Sequence, residues 1–155
     1  MNQNICVQNY KQNNHANVLE FFEEVFTQVG NVLDLLGKDF DIRYIDDVYV
    51  KNSGVFFTAT VSTKVVGTIG VRKFSDEIAE LKRFYLLTEF RGQGIGKKLC
   101  EIAFEEAKRL GYKTLRLDTS FKSIAAIKIF RDYGFVEIEK YNDDPYAELY
   151  MEKVL

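Results

Sequence analysis

The sequence contains little cysteine, a single proline and no tryptophan. Its 155 residues include two cysteines, Cys6 and Cys100. They lie far apart and lack CxxC spacing, which argues against a disulfide framework or a zinc site and is typical of a protein of the reducing cytosol. Because no Pro-, Gly- or Ser-rich stretch resembles a linker, we expect one domain over residues 1–155.

Long apolar runs and an excess of basic charge are also missing. No stretch approaches the roughly 20 apolar residues that a membrane helix needs. The first twelve residues, MNQNICVQNYKQ, lack the basic start and apolar run of a signal peptide. The formal net charge of −2 offers no electrostatic surface for nucleic acid. We therefore expect a cytoplasmic protein that binds neither a membrane nor nucleic acid.

The order of the apolar patterns predicts a mixed α/β sheet with helices packed on it. Alternating, β-branched and aromatic segments predict seven strands, over residues 5–10, 54–61, 64–74, 78–87, 112–120, 135–141 and 147–155. Apolar residues at helical spacing predict three helices, within residues 14–30, 95–110 and 123–133. The pattern over residues 31–53 is mixed and leaves a short second helix undetermined.

The segment RGQGIGKKL, residues 91–99, lies where a strand leads into a helix. A helix N-terminus leaves backbone N–H groups without partners and favours an anion. Glycines let the chain approach that anion and adopt positive φ, while Arg91, Lys97 and Lys98 add positive charge. The segment therefore predicts a pyrophosphate site. The alternative is a tight strand-to-helix turn with solvated lysines.

Two common phosphate loops do not fit this segment. A P-loop, GxxxxGK[ST], needs glycine where Arg91 stands and Ser or Thr where Lys98 stands. A dinucleotide fingerprint, GxGxxG, needs its third glycine where Lys97 stands. The spacing therefore argues against both.

The spacing Arg91-x-x-Gly94-x-Gly96, after the strand LKRFYLL, resembles the acyl-CoA loop of the GNAT family of N-acetyltransferases. Downstream, AAIKIFRDYGFVEIEKY resembles the second signature of that family, and the likeness covers roughly residues 55–155. It implies the GNAT-like acyl-CoA N-acyltransferase fold, a mostly antiparallel sheet with splayed fourth and fifth strands flanked by helices. It also implies acetyl-CoA as co-substrate and no metal.

The resemblance also implies which residues hold acetyl-CoA. The fourth strand pairs with the pantetheine arm through Phe84, Tyr85 and Leu86, and the Leu86 N–H polarises the acetyl carbonyl. The hydroxyl of Ser123 hydrogen-bonds the pantetheine. The pyrophosphate lies against the loop formed by Arg91, Gly92, Gln93, Gly94, Ile95, Gly96 and Lys97.

The implied reaction is attack by a neutral amine on a thioester, so a base must first take the amine proton. Glu80 stands where several relatives place their base carboxylate. The alternative is an exposed edge-strand glutamate paired with Lys82. Asp118 occupies the other place where relatives keep a carboxylate and is the second candidate, although an Asp at a strand end is often a turn residue.

Two positions depart from the family pattern. Ser123 stands where an asparagine is common, and Phe130 stands where a tyrosine protonates the departing thiolate. Tyr133 lies one turn further along and is a poor substitute. The absence of a tyrosine at position 130 should slow catalysis without abolishing it, because a CoA thiol is acidic enough to leave without a strong acid. The alternatives are a degenerate acyl-CoA-binding sensor module without catalysis, or a domain that binds another phosphate.

The expected acceptor is a primary amine of a small molecule or peptide. The resemblance assigns it to residues 30–47 and 141–148. An acidic mouth there would attract a cationic acceptor, unless these carboxylates are only solvated; they are Asp34, Asp39, Asp41, Asp46, Asp47, Asp143, Asp144 and Glu148. The sequence is compatible with a homodimer and does not determine the oligomeric state.

Overall fold

The structure is a computed structural model that describes residues 3–155. Seven strands form one sheet, and they are β1 (Ile5–Asn9), β2 (Val55–Val61), β3 (Lys64–Lys73), β4 (Ile78–Leu86), β5 (Thr114–Thr119), β6 (Val136–Ile138) and β7 (Leu149–Val154). Their order is β1-β2-β3-β4-β5-β7-β6. β4 and β5 are parallel, and every other neighbouring pair is antiparallel. The predicted mostly antiparallel mixed sheet is confirmed.

The helices flank this sheet, and they are α1 (His15–Gln28), α2 (Phe40–Arg43), α3 (Ile45–Val48), α4 (Ile95–Arg109) and α5 (Ile124–Asp132). The three long helices lie where the apolar spacing predicts them. Residues 31–53 contain two four-residue helices and a 3-10 turn at Val50–Asn52. Elements this short do not show a helical period, which explains the mixed pattern. None of the helices within residues 3–155 is long and apolar enough to cross a membrane.

Helices α1 and α4 cover opposite faces of the sheet. Consecutive strand residues point to opposite faces. On β4, Tyr85 packs against Phe22 and Phe26 of α1, whereas the Phe84 ring lies under Gly96 of α4. The core is therefore two apolar layers, one on each side of the central strands.

A β-bulge interrupts β4 near the end of its pairing with β3. The register joins Gly70 to Lys82 and Thr68 to Tyr85, so two residues of β4, Arg83 and Phe84, oppose a single residue of β3. Arg83 adopts the left-handed conformation with φ 54°. A bulge re-aims the side chains that follow it. Here it leaves Arg83 on the face of α1 and returns the next residue to the face of α4.

The parallel strands β4 and β5 separate part-way along their length. Their pairing covers Ile78–Glu80 against Thr114–Arg116. β4 then continues on β3 to Leu86, while β5 continues on β7 to Thr119. The two strands therefore diverge and open a gap, which confirms the predicted splay of the fourth and fifth strands.

Candidate active site

The loop before α4 presents a row of backbone donors. Gly92 and Gly94 have φ of 75° and 80°, a conformation that favours glycine. The first bond of α4 runs from the Lys98 N–H to the Gly94 carbonyl. Within residues 3–155, the N–H groups of residues 92–97 donate no hydrogen bond to a backbone acceptor. Such a row at a helix start suits an anion.

The third glycine of the loop has a different role. A Cβ on Gly96 would lie 3.3 Å from the Phe84 ring and 3.4 Å from Ile129. Gly96 therefore allows α4 to approach β4 closely, which brings the row of N–H groups to the gap. The side chains of Arg91 and Lys97 are exposed beside that row. The structure thus has the predicted loop geometry at the predicted residues.

The edge of β4 that faces the gap carries unpaired backbone groups. The Leu87 N–H donates to the Val66 carbonyl at 2.9 Å, and Leu86 stands opposite Gly67 in the same ladder. Alternate residues of an antiparallel strand direct their N–H groups to opposite sides. The Leu86 N–H therefore points away from β3 and into the gap, as its predicted role requires.

Glu80 lies buried at the closed end of the gap, where β4 and β5 last pair. Its side chain accepts a hydrogen bond from Arg72 at 3.0 Å and one from the Tyr141 hydroxyl at 3.0 Å. The residue is 5% exposed. The alternative of an exposed edge-strand glutamate paired with Lys82 is therefore wrong, because β4 is a central strand and Arg72 is the ionic partner.

Tyr141 closes the site over Glu80. Burial and the neighbouring Glu80 charge raise the pKa of Tyr141 well above its ordinary value, so its hydroxyl remains a donor at neutral pH. The Arg116 guanidinium stacks 5.3 Å from the Tyr141 ring. The loop between β6 and β7 is thereby attached to β5, and its tyrosine orients the candidate base.

Asp118 and Lys82 stand on the two sides of the gap, just beyond the last paired residues. Asp118 accepts a hydrogen bond of 2.5 Å from the side chain of Asn142. The Lys82 ammonium lies 3.9 Å from Asp118. Both carboxylates predicted as candidate bases therefore line one site, Glu80 at its closed end and Asp118 further out.

The segment after α1 is fastened to the β4 bulge by a buried ionic network. Arg83 donates to both oxygens of Asp41, at 2.9 and 2.6 Å, and to Asp39 at 3.0 Å. The Tyr49 hydroxyl also donates to Asp41. Burial alone would raise the pKa of Asp41, but the hydrogen bonds and charge of Arg83 outweigh it and lower that pKa.

This network removes two carboxylates from the expected acidic mouth. Asp39 and Asp41 are buried and neutralised by Arg83, so neither is available to a cationic acceptor. Nearby, Asp46 and Asp47 pair with Lys51. The sequence patterns did not single out Arg83, Arg72 or Tyr141 as site residues. Charged residues inside the strand segments were the only signal that could have indicated the two arginines.

Ser123 stands immediately before α5, while Phe130 of this helix is part of the core. Ser123 precedes the helix and makes no side-chain capping bond. Phe130 is 4% exposed and packs against Phe84 and Phe135. The Tyr133 hydroxyl donates to Glu101 and is directed to the surface of α4, which agrees with its exclusion as a substitute acid.

Known proteins share this fold. The profile of the acetyltransferase (GNAT) family matches residues 18–135. A GNAT-family acetyltransferase of Staphylococcus aureus superposes with a TM-score of 0.88, over 97% of this chain and 99% of its own, at 22% identity. The PaiA N-acetyltransferase of Thermoplasma acidophilum, solved with coenzyme A, superposes with a TM-score of 0.79 over 98% of this chain and 99% of its own, at 19% identity.

A curated relative extends the match in sequence. The uncharacterised N-acetyltransferase YjgM of Escherichia coli is 30% identical over 95 residues, which cover 59% of this chain and 57% of that protein. The chain thus matches less than two thirds of that relative's length. The family profile covers most of the chain, and the fold is that of solved GNAT structures. The chain belongs to the GNAT acetyltransferase family.

Proposed function

We propose that this protein is an N-acetyltransferase that moves the acetyl group of acetyl-CoA to a primary amine of a small molecule or peptide by direct attack. One observation carries the proposal. The row of free N–H groups at residues 92–97, the inward Leu86 N–H and the buried Glu80 carboxylate follow one another along the gap. In that order, these groups would bind the pyrophosphate, bind the acyl carbonyl and accept the proton of the amine.

Acetyl-CoA would be held by backbone and not by a charged pocket. The N–H groups of residues 92–97 would receive the pyrophosphate, and Arg91 and Lys97 would add long-range attraction. The free edge of β4 at Phe84–Leu86 would pair with the amide-bearing pantetheine arm, and the Ser123 hydroxyl would contact the same arm. A Cβ on Gly92 or Gly94 would meet no atom within 4 Å, so the space beside these two residues is open for the phosphates.

The acetyl transfer needs one bond to form and one to break. The amine nitrogen attacks the thioester carbon, a C–N bond forms, and the C–S bond breaks as the thiolate leaves. The Leu86 N–H would donate to the carbonyl oxygen as negative charge develops on it, which stabilises the transition state more than the ground state. The product is an amide and the second product is free CoA.

Glu80 would take the proton that the amine loses, directly or through one water molecule. Arg72 and Tyr141 each occupy one lone-pair direction of this carboxylate, and each oxygen retains another. These two donors hold the side chain in one orientation. Phe130 offers no proton to the thiolate, which would take one from solvent, so the structure supports transfer without a general acid at that position.

A thiol-release assay tests the proposal. Acetyl-CoA is presented with a panel of amines, and free thiol and the N-acetylated product are measured. Glu80→Gln should lower the rate most near neutral pH, where the amine is mainly protonated, and recover partly at high pH. Glu105→Gln, an exposed substitution on α4, is the matched control.

The outcomes of this assay distinguish an enzyme from a non-catalytic module that only binds acyl-CoA. If no amine yields thiol while acetyl-CoA raises the melting temperature, the chain is a non-catalytic acyl-CoA sensor. If Glu80→Gln leaves the pH–rate profile unchanged, Asp118 becomes the candidate base.

A further inference from the structure

We propose that the acceptor is an amine with a carboxylate on the same carbon, as in an α-amino acid, and that Lys82 binds this carboxylate. The proposal rests on the proposed function, since it names the substrate class of the same site. It differs from the expectation of a purely cationic acceptor, which depended in part on two carboxylates that pair with Arg83, Asp39 and Asp41.

Lys82 is the loosely held cation of the gap. Its side chain is 18% exposed, and its ammonium approaches the Asp118 carboxylate only to 3.9 Å, which is too long for a hydrogen bond. In the part of the chain that the structure describes, its ammonium makes no hydrogen bond. A largely enclosed ammonium with three free donors is prepared to receive an anion.

The other cations near the gap are already engaged. Arg72 is bonded to Glu80, and Arg83 is bonded to Asp39 and Asp41. Arg116 is bonded to Glu152 and lies between the Phe74 and Tyr141 rings. An acidic group that enters the gap therefore meets Lys82 as its partner.

The spacing of Lys82 from the candidate base fits a compact acceptor. Glu80 and Lys82 point to the same face of β4, and two strand residues span roughly 6.6 Å. An acceptor bound by both side chains therefore carries its amine close to its carboxylate, as an α-amino acid does. With Lys82 as a cation and Glu80 and Asp118 as carboxylates, the site holds groups of both signs, which complement the two charges of an amino-acid zwitterion.

Matched acceptors test this proposal on the unmodified protein. Free α-amino acids are compared with their α-carboxamides, in which the amine is kept and the negative charge is removed. We expect kcat/KM for the carboxamide to be lower by about 10- to 100-fold, the effect of one charge-assisted hydrogen bond. The carboxamide has the larger fraction of neutral amine at neutral pH, so without carboxylate recognition it would be the better acceptor.

The variant Lys82→Met should raise KM for the amino acid about 10-fold or more and should change kcat/KM for the carboxamide much less than kcat/KM for the amino acid. Lys82→Arg should retain most of the preference. Lys113→Met is the control, because Lys113 is an exposed lysine that pairs with Glu77 at the opposite end of these strands.

Equal or faster turnover of carboxamides by the wild type would overturn the proposal while acetyl transfer itself stands. A preference for the carboxylate that survives in Lys82→Met would overturn the assignment of Lys82. Thiol release with no acceptor of either kind would overturn the proposed function, and this inference with it.

Discussion

The Arg83 network makes a quantitative prediction about stability. Arg83→Met keeps a side chain of similar length and the same backbone strain, but removes the guanidinium from Asp41 and Asp39. Asp39 retains the Asp34 N–H and Lys38. Among the groups that the structure describes around Asp41, the Tyr49 hydroxyl remains as its donor. The substitution therefore leaves Asp41 as a buried carboxylate without a hydrogen-bonded counter-ion, because the nearby Arg72 is paired with Glu80.

Removing one partner of a buried ion pair costs about 3–5 kcal/mol. For a domain of this size each kcal/mol lowers Tm by about 2–4 °C, so Arg83→Met should melt about 6–20 °C below the wild type. Differential scanning calorimetry at pH 7 measures this. Arg109→Met, which breaks an exposed pair with Glu106 on α4, should leave Tm unchanged.

The pH dependence identifies the cause of the loss. In the wild type the pKa of Asp41 is lowered, so its contribution is complete above the ordinary carboxyl value, near pH 4, and is lost as the pH falls through the lowered value. In the variant, burial raises that pKa, and protonation relieves the buried charge as the pH falls. The difference in Tm should therefore narrow on acidification through about pH 4. A difference under 2 °C at pH 7, or one that does not change with pH, would refute the electrostatic account.

Two further predictions concern the bulge and the missing acid. Arg83→Gly should be more stable than Arg83→Ala by about 1 kcal/mol. Both variants remove the guanidinium, but only glycine accepts the left-handed φ of 54° without strain. Equal midpoints of urea unfolding would contradict this. Phe130→Tyr should lose about 1–3 kcal/mol and gain no kcat, because its ring packs between Phe84 and Phe135 and a hydroxyl there has no partner. A rise in kcat at unchanged Tm would show that the hydroxyl reaches the thiolate.

The features of the structure that could be predicted from the sequence are those that depend on a few neighbouring residues. The positive φ of Gly92 and Gly94 and the free N–H groups of a helix start depend on a few consecutive residues, so the loop could be predicted. The apolar periods of the long helices and strands are equally local. The mixed pattern over residues 31–53 could not be resolved, because four-residue helices show no period.

The surroundings of Glu80 and Arg83 depend on contacts between distant segments. Glu80 is buried by Tyr141, which is 61 residues away, and no local pattern indicates that pairing. If the side chains of β4 alternated regularly, Arg83 would lie on the face of the sheet opposite to that of Lys82. The bulge overrides that alternation and directs Arg83 to Asp41, 42 residues earlier in the chain. Electrostatic partners at such separations appear only when the strands and loops are assembled.

Calorimetric titration of acetyl-CoA into the Gly94→Asp variant tests the central claim most directly. Gly94 and Gly111 both have positive φ, 80° and 96°, and a Cβ on either meets no atom within 4 Å, so Asp imposes similar backbone strain and equal charge at both. Because only Gly94 lies in the proposed pyrophosphate site, Gly94→Asp should weaken binding about tenfold or more, while Gly111→Asp should bind as the wild type does. Wild-type affinity in Gly94→Asp would contradict the account.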